Sequence, residues 1–267
     1  MATNKKQLTI HKANEVVRGV DDYSLYGKRC MNAIYYIYQY NFNRGIKISK
    51  LDYLDIPFSF LRKMMGLEKV ESYIAIIESS LKELEKTIEL NHFYHPIEKI
   101  EYQWYTDRFL NKAGWFTKNN KKYARVEISK LAKYLIEKQS NFTKLDLSHY
   151  LNKLRTKYAM KLYEYLKSFG TFRYLDISQQ HMMKLFGFEP EHKTYKHYAK
   201  LKTLLERQLK EIAKKTDLKQ VKLIVSKTLS KEKTFRIIIN PKSKRDINKI
   251  KAKNQLDNML NNLIKRF

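Results

Sequence analysis

TYKHYAKLKTLLERQLKEIAKK (Thr194–Lys215) is the stretch whose reading decides the fold. On an α-helix each residue advances about 100°. Tyr198, Leu201, Leu205, Leu209 and Ile212 then fall within about 40° of one line, while Lys196, Lys200, Thr203, Arg207, Lys210 and Lys214 fall within about 40° of the opposite line. No acid lies on the basic line; Glu206 and Glu211 flank it. Taken alone, such a stripe reads as a solvated helix face. The competing reading is a recognition helix for duplex DNA, and the rest of the chain decides between them.

The chain has 267 residues, 54 basic against 27 acidic side chains, and a net charge of +27. That excess points to a polyanionic partner, with nucleic acid first and an anionic membrane surface second. The apolar content of 43% is enough for real cores, which excludes a disordered basic tail. Residues 1–140 hold 24 basic and 16 acidic side chains and residues 141–267 hold 30 and 11, so the second half is expected to supply more of the binding. Seven Gly, four Pro and long periodic apolar segments predict mainly helix. Cys30 is the single cysteine, in an apolar helical setting, which predicts a buried small hydrophobe and excludes a disulfide framework. The first residues lack the apolar core of a signal peptide, and no run approaches a membrane span, so a cytoplasmic protein is expected.

The chain repeats a scheme. A helix is predicted over residues 24–40 with Ser24 as N-cap, then a short extended piece around Gly45–Ser49. Tyr53-Leu54-Asp55-Ile56 leads into a short helix closed by Gly66, and a longer helix carries Val70, Tyr73, Ile77, Leu81, Leu84 and Ile88 on one face. Residues 97–109 and 123–128 are read as a hairpin with a basic tip at Lys118–Lys122, followed by a short helix over 130–138. The motif YLDI then recurs at Tyr174–Ile177, Lys63 matches Lys184, and Gly66 matches Gly187. The long-helix spacing recurs as Leu201, Leu205, Leu209 and Ile212, after seven extra residues. Ala124–Ile128 resembles Phe235–Ile239, and Lys227–Lys233 is the second basic tip. Helix, short strand, short helix, long amphipathic helix, hairpin is the order of a winged helix. The expected class is therefore mainly α with small β-hairpins (α+β), as two tandem winged-helix domains related by internal duplication. The first is expected over 1–140 and the second over 141–241, with 242–267 as either a docked C-terminal helix or a mobile basic tail.

The run Leu151–Gly170, with Arg155, Lys157-Tyr158, Leu162-Tyr163-Glu164 and Leu166, resembles the helix that opens the second domain of iteron-binding plasmid replication initiators. Tyr195, Leu204-Leu205 and Leu209-Lys210-Glu211-Ile212 are similar to that family's second-domain recognition helix, and Asn14-Glu15 with Tyr26 and Arg29 to its first helix region. The resemblance covers roughly residues 8–240. It implies a bacterial protein, associated with plasmid or nucleoid, that binds repeated double-stranded origin sites as a monomer and opens the origin. It further implies a homodimer, formed through the first domain, that represses its own gene, and recruitment of a host replication initiator and helicase. Base contacts are then expected from Lys196, His197, Lys200, Lys202, Thr203 and Arg207. Further DNA contacts are expected from Lys193, from Lys231, Lys233 and Arg236 on the second hairpin, and from Lys118, Lys121, Lys122 and Arg125 on the first, mostly to phosphate in the first domain, while Lys210 and Lys214 are expected to meet phosphate or only solvent. The first long helix carries Glu71, Glu78, Glu83 and Glu85 beside its lysines and is a poor polyanion binder.

No cofactor, metal or catalytic residue is expected. The chain has no phosphate-binding P-loop motif, and His92/His95 and His192/His197 do not form the paired metal ligands of a DNA nickase. A winged-helix repressor without a replication role is the alternative, and a nickase or integrase a third reading. A fragment of residues 141–267 is expected to fold and still bind DNA; circular dichroism and electrophoretic mobility shift check both.

Overall fold

The computed structural model describes residues 8–19, 21–46, 53–95, 97–137, 142–151, 153–227 and 233–240. It divides into two compact units, Met1–Met160 and Lys161–Phe267.

In the first unit, β1 (Thr9–Ala13) and α1 (Asn14–Arg18) lead into α2 (Leu25–Phe42). Ser24 caps α2 as expected, its hydroxyl accepting from the Gly27 N–H at 3.0 Å. The Ser24 N–H and hydroxyl donate in turn to the Glu83 carboxylate, each at 2.6 Å. A Cβ on Gly27 would collide with that carboxylate, so glycine is what lets the acid reach the cap. Cys30, Ala33 and Ile34 are fully buried, and burial pushes the Cys30 thiol up to about 12, leaving it a small hydrophobe. Arg29 is buried against the Tyr26 ring and donates to the carbonyls of Met65 (2.8 Å) and Leu154 (3.1 Å).

Next come β2 (Leu54–Pro57), α3 (Phe58–Met64) and α4 (Tyr73–Leu84). Gly66 takes φ +71°, and the N–H groups of Leu67 and Gly66 bond back to the carbonyls of Arg62 (2.8 Å) and Lys63 (3.2 Å). This double return is a Schellman closure, and the left-handed position suits glycine. The helix is shorter than its apolar spacing: Val70 precedes it, and Ile88 belongs to the next strand. That strand is β3 (Thr87–His95), followed by β4 (Ile100–Arg108), β5 (Leu110–Lys118), β6 (Lys121–Ile128), α5 (Lys130–Glu137), β7 (Phe142–Asp146) and α6 (Leu147–Tyr150).

The strand pairing differs from expectation. Residues 97–109 do not partner 123–128: β4 pairs with β3, and β6 pairs with β5. Strand β5 escaped detection because a register shift between Leu110 and Lys112, then Gly114, interrupts its alternation. The basic tip is where expected, with Asn119 and Asn120 both at positive φ (49° and 56°), as a two-residue hairpin turn requires. β1 pairs antiparallel with β7, Thr9 opposite Asp146, and the Thr143 hydroxyl bonds Asn14 Oδ1 at 2.5 Å. The first unit therefore runs to Met160, beyond the boundary expected at 140. Most of the extended piece expected at Gly45–Ser49 lies outside the described residues, as do residues 242–267.

The division between units falls within α7 (Lys157–Lys167), which is shorter than the helix expected over 151–170. The second unit continues with β8 (Tyr174–Ser178), α8 (Gln179–Leu185), α9 (Tyr198–Lys215), β9 (Lys222–Lys227) and β10 (Lys233–Ile238). Its sheet order, β8-β10-β9, reproduces β2-β6-β5 of the first unit. Gly187 repeats the +71° φ of Gly66, with Phe188 and Gly187 returning to Met183 and Lys184 at 2.9 Å each. Asp217 fastens α7 to the far end of α9: burial works against its charge, but bonds from Lys167 Nζ and the Tyr163 hydroxyl, each 2.7 Å, hold its carboxyl below the usual range.

The YLDI repeat has a structural meaning. Asp55 lies opposite Arg125 in the β2–β6 ladder, and Asp176 lies opposite Arg236 in β8–β10. Both are two-pronged pairs, at 2.7 and 2.8 Å in the first unit and 2.8 Å for both bonds in the second. Each guanidinium also lies over the tyrosine that opens its motif, Tyr53 at 5.7 Å and Tyr174 at 4.9 Å. Leu54, Ile56 and Ile177 are buried. The pairs differ in burial: the Arg236 side chain is 6% exposed and that of Arg125 47%. Asp176→Ala is therefore expected to cost about 2–3 kcal/mol, because it strands a buried cation. Asp55→Ala should cost less than about 1 kcal/mol. Urea unfolding followed by circular dichroism checks the order. Hydrogen bonding to Arg125 holds Asp55 below the usual carboxylate range, so its contribution is complete above the ordinary aspartate pKa and fades as pH falls through the folded value.

Candidate nucleic-acid interface

Helix α9 has the two faces its sequence predicts. Leu201, Leu204, Leu205, Gln208, Leu209 and Ile212 are buried, while Lys200, Thr203, Arg207, Lys210 and Lys214 are exposed along the opposite side. Among the described residues, no acid lies within ion-pair distance of Lys200, Arg207, Lys210 or Lys214. Lys202 is half-buried and sits 3.8 Å from Glu206, at the edge of the stripe.

The helix begins at Tyr198, not at Thr194, so Lys193, Lys196 and His197 stand on the turn before it. The turn breaks the helical pattern because its own contacts are better. His192 Nδ1 accepts from the Thr194 and Tyr195 N–H groups at 3.2 Å each, and the Tyr195 ring stacks on Phe188 and His192, whose own rings are tilted to each other, with all centroids 4.4–5.0 Å apart. Gln179 Nε2 ties the turn to α8 through the Lys196 carbonyl at 2.7 Å. Lys193, Lys196 and His197 are exposed there, with Lys196 3.7 Å from Glu191.

The wing stands at the N-terminal end of α9. Tyr198 stacks on Phe235 of β10 with ring centroids 4.7 Å apart and planes within 3°, and its hydroxyl donates to the Thr234 carbonyl at 3.1 Å. Lys233, exposed at the start of β10 opposite Lys227, lies 5.6 Å from the Tyr198 ring centroid. Lys231 falls outside the described residues. Arg236 does not belong to a phosphate-facing surface: it is 5% exposed and committed to Asp176. Sequence reading put it on the surface because a hairpin arginine and a clamp arginine look alike until the cross-strand acid is known.

In the first unit Lys118 and Lys121 are exposed at the wing tip and Lys122 is half-buried near Trp115. Arg125 is exposed but bound to Asp55, between Tyr53 and Phe116. The acids of α4 are committed to the fold. Glu83 caps α2, Glu78 takes Lys82 at 2.7 Å and the Trp115 indole at 3.4 Å, and Glu85, at the C-cap of the helix, accepts from the Ala113 N–H at 2.9 Å. Helix α4 thus presents no basic line comparable to that of α9. Sequence reading missed a cleft of about 460 Å³ between α3 and the wing tip, whose lining includes the cations Arg62, Lys63, Lys121 and Lys122 together with Glu68 and Tyr73. Its one signal was the match between Lys63 and Lys184, both of which are exposed.

Among the described residues no three His, Cys, Asp or Glu side chains are grouped to hold a metal, and no helix is long and apolar enough to cross a membrane. Residues 9–167 match the family model described as initiator replication protein, WH1. No curated protein matches the chain. Among solved structures, a crystal structure of Pi initiator protein in complex with iteron DNA is similar at 13% identity and a TM-score of 0.60, covering 88% of this chain and 99% of that one. A structure of domains 2 and 3 of RctB is similar at 9% identity and a TM-score of 0.48, covering 81% of each chain.

Arg207→Ala or Lys200→Ala is expected to weaken specific DNA binding by about 1–3 kcal/mol where the side chain reads a base, and to lower the salt slope by about one where it meets a phosphate. Titration of labelled DNA across a salt series checks both. Binding and salt dependence unchanged in the double variant would remove α9 as the reader.

Proposed function

Since the chain belongs to the initiator replication protein family, we propose that it binds repeated sites in a plasmid origin and promotes its opening by binding and deforming duplex DNA. The observation that carries this reading is the exposed line of Lys200, Thr203, Arg207, Lys210 and Lys214, free of ion-paired acids and flanked by Lys233 on the wing. A helix of this kind fits a major groove about 12 Å wide, and a lysine-bearing wing reaches the flanking backbone. Arg207 is the one arginine on α9, so lysine contacts and DNA shape carry much of the readout. The likeness to a structure holding iteron DNA supports the choice of ligand.

The first unit is assigned phosphate contacts through Lys118, Lys121 and Lys122, and the pairing of two copies into a dimer that represses its own gene. Recruitment of a host initiator and helicase completes the proposed role, in the bacterial cytoplasm on the plasmid itself. The family is one of DNA-binding initiators, not a catalytic class, and the proposed mechanism contains no bond-breaking step.

Electrophoretic binding to DNA flanking the gene is expected to give a ladder of complexes on direct repeats beside an AT-rich tract, with permanganate reactivity appearing in that tract as it opens. Binding only to a single operator, without opening, would favour the repressor reading. Supercoiled origin DNA incubated with Mg²⁺ should remain unnicked; a nicked product with protein on its 5′ end would overturn the non-catalytic mechanism.

A further inference from the structure

The two winged helices share their strand order, their closing glycines and their Asp–Arg pairs, but they differ where the long helix meets the wing. In the second unit that junction is Tyr198 on Phe235, with the Tyr198 hydroxyl on the Thr234 carbonyl. The alignment that superposes Leu81–Leu84 on Leu209–Ile212 places Val70 at the position of Tyr198, and Ala124 stands at that of Phe235. Both members of the ring pair are thus replaced together in the copy whose long helix lacks a basic line. Val70 lies on the turn before α4, outside the helix.

Phe235 is fully buried on the central strand of its sheet, between β8 and β9, and is a fixed point. Tyr198 is half-buried and opens α9. A coplanar stack plus a hydroxyl bond to backbone fixes both the distance and the rotation of the first helical turn relative to β10, which an aliphatic contact does not. Lys233, two residues before Phe235, lies over the same tyrosine ring. Resting on the reading of α9 and its wing as a DNA-binding surface, we propose that Tyr198 is a positioning residue: it locks the second wing to the N-terminal turn of α9, so that Lys233 and the line from Lys200 to Arg207 meet one duplex at a set spacing. Tyr198 touches no base in this role; it acts through Lys233.

The test is a cycle in the full chain between Tyr198→Leu and Lys233→Ala, measured as binding to the origin repeats across a salt series. In the unaltered background Lys233→Ala is expected to lower the salt slope by about one. In the Tyr198→Leu background the same change should leave the slope unaltered, because the wing no longer follows the helix. Tyr198→Leu alone should weaken binding about tenfold, and Tyr198→Phe, which keeps the stack but loses the hydroxyl bond, should restore only part of it. A tyrosine that only fills space would leave the effect of Lys233→Ala identical in both backgrounds, and that result overturns the proposal. So does a Lys233→Ala change without effect in the unaltered protein while Lys200→Ala and Arg207→Ala still weaken binding. If neither α9 variant weakens binding, it is the DNA-binding reading itself that fails. Should melting curves show that Tyr198→Leu does not fold, the cycle is run with Tyr198→Phe. Loss of the hydroxyl is then expected to shrink the slope change caused by Lys233→Ala, and an undiminished change overturns the proposal.

Discussion

A carboxylate facing a guanidinium across two strands pins the sheet of both winged helices, buried in the second and exposed in the first. The strand that launches the helix-turn-helix and the strand that returns from the wing are distant in sequence, and backbone ladder bonds alone allow a sheet to slip. The Asp55–Arg125 and Asp176–Arg236 pairs make any slip separate two charges, so each register is specified as well as stabilised. With the register set, the inward residues of each sheet face the helices, and the closing glycine can aim the long helix across the short one. The more buried second pair belongs to the unit with the greater excess of positive charge, where mutual repulsion asks more of the scaffold.

The same scaffold yields two different surfaces through the fate of its acids. In the first unit glutamates on α4 and at its C-cap are spent on capping α2, on a β5 amide and on the Trp115 indole, which ties that helix to its own neighbours. In the second unit the acids of α9 pair with Lys202 and Lys215 at the edges and leave the central line unneutralised. Specialisation therefore needed no change of fold, only a shift in which side chains are engaged internally.

Much of this was legible in the sequence, for identifiable reasons. Ser24, Gly66, Gly187 and the faces of α9 follow local rules of capping and periodicity, and YLDI is short enough to survive divergence as a visible repeat. The unread parts depend on partners far along the chain. Arg125 and Arg236 look like surface cations until Asp55 and Asp176 are placed opposite them. Strand β5 was hidden by its irregular register and Gly114, and β3 by an apolar spacing that continues the helix before it. The start of α9 was overrun because Lys196 fits the basic line of the helical wheel, whereas the His192 acceptor and the ring contacts that unwind the turn are tertiary facts.

The pairing of β1 with β7 bears on how the protein comes into being. Asn14 and Thr143, bonded in the finished unit, are 129 residues apart. β1 precedes its partner β7 by nearly the whole of the first unit and must wait for that length to be synthesised before it can pair. Closing so long a loop costs little more in entropy than closing a shorter one, but it delays completion. Local pieces such as α3, Gly66 and α4 can assemble during that interval, before β7 exists for β1 to pair with.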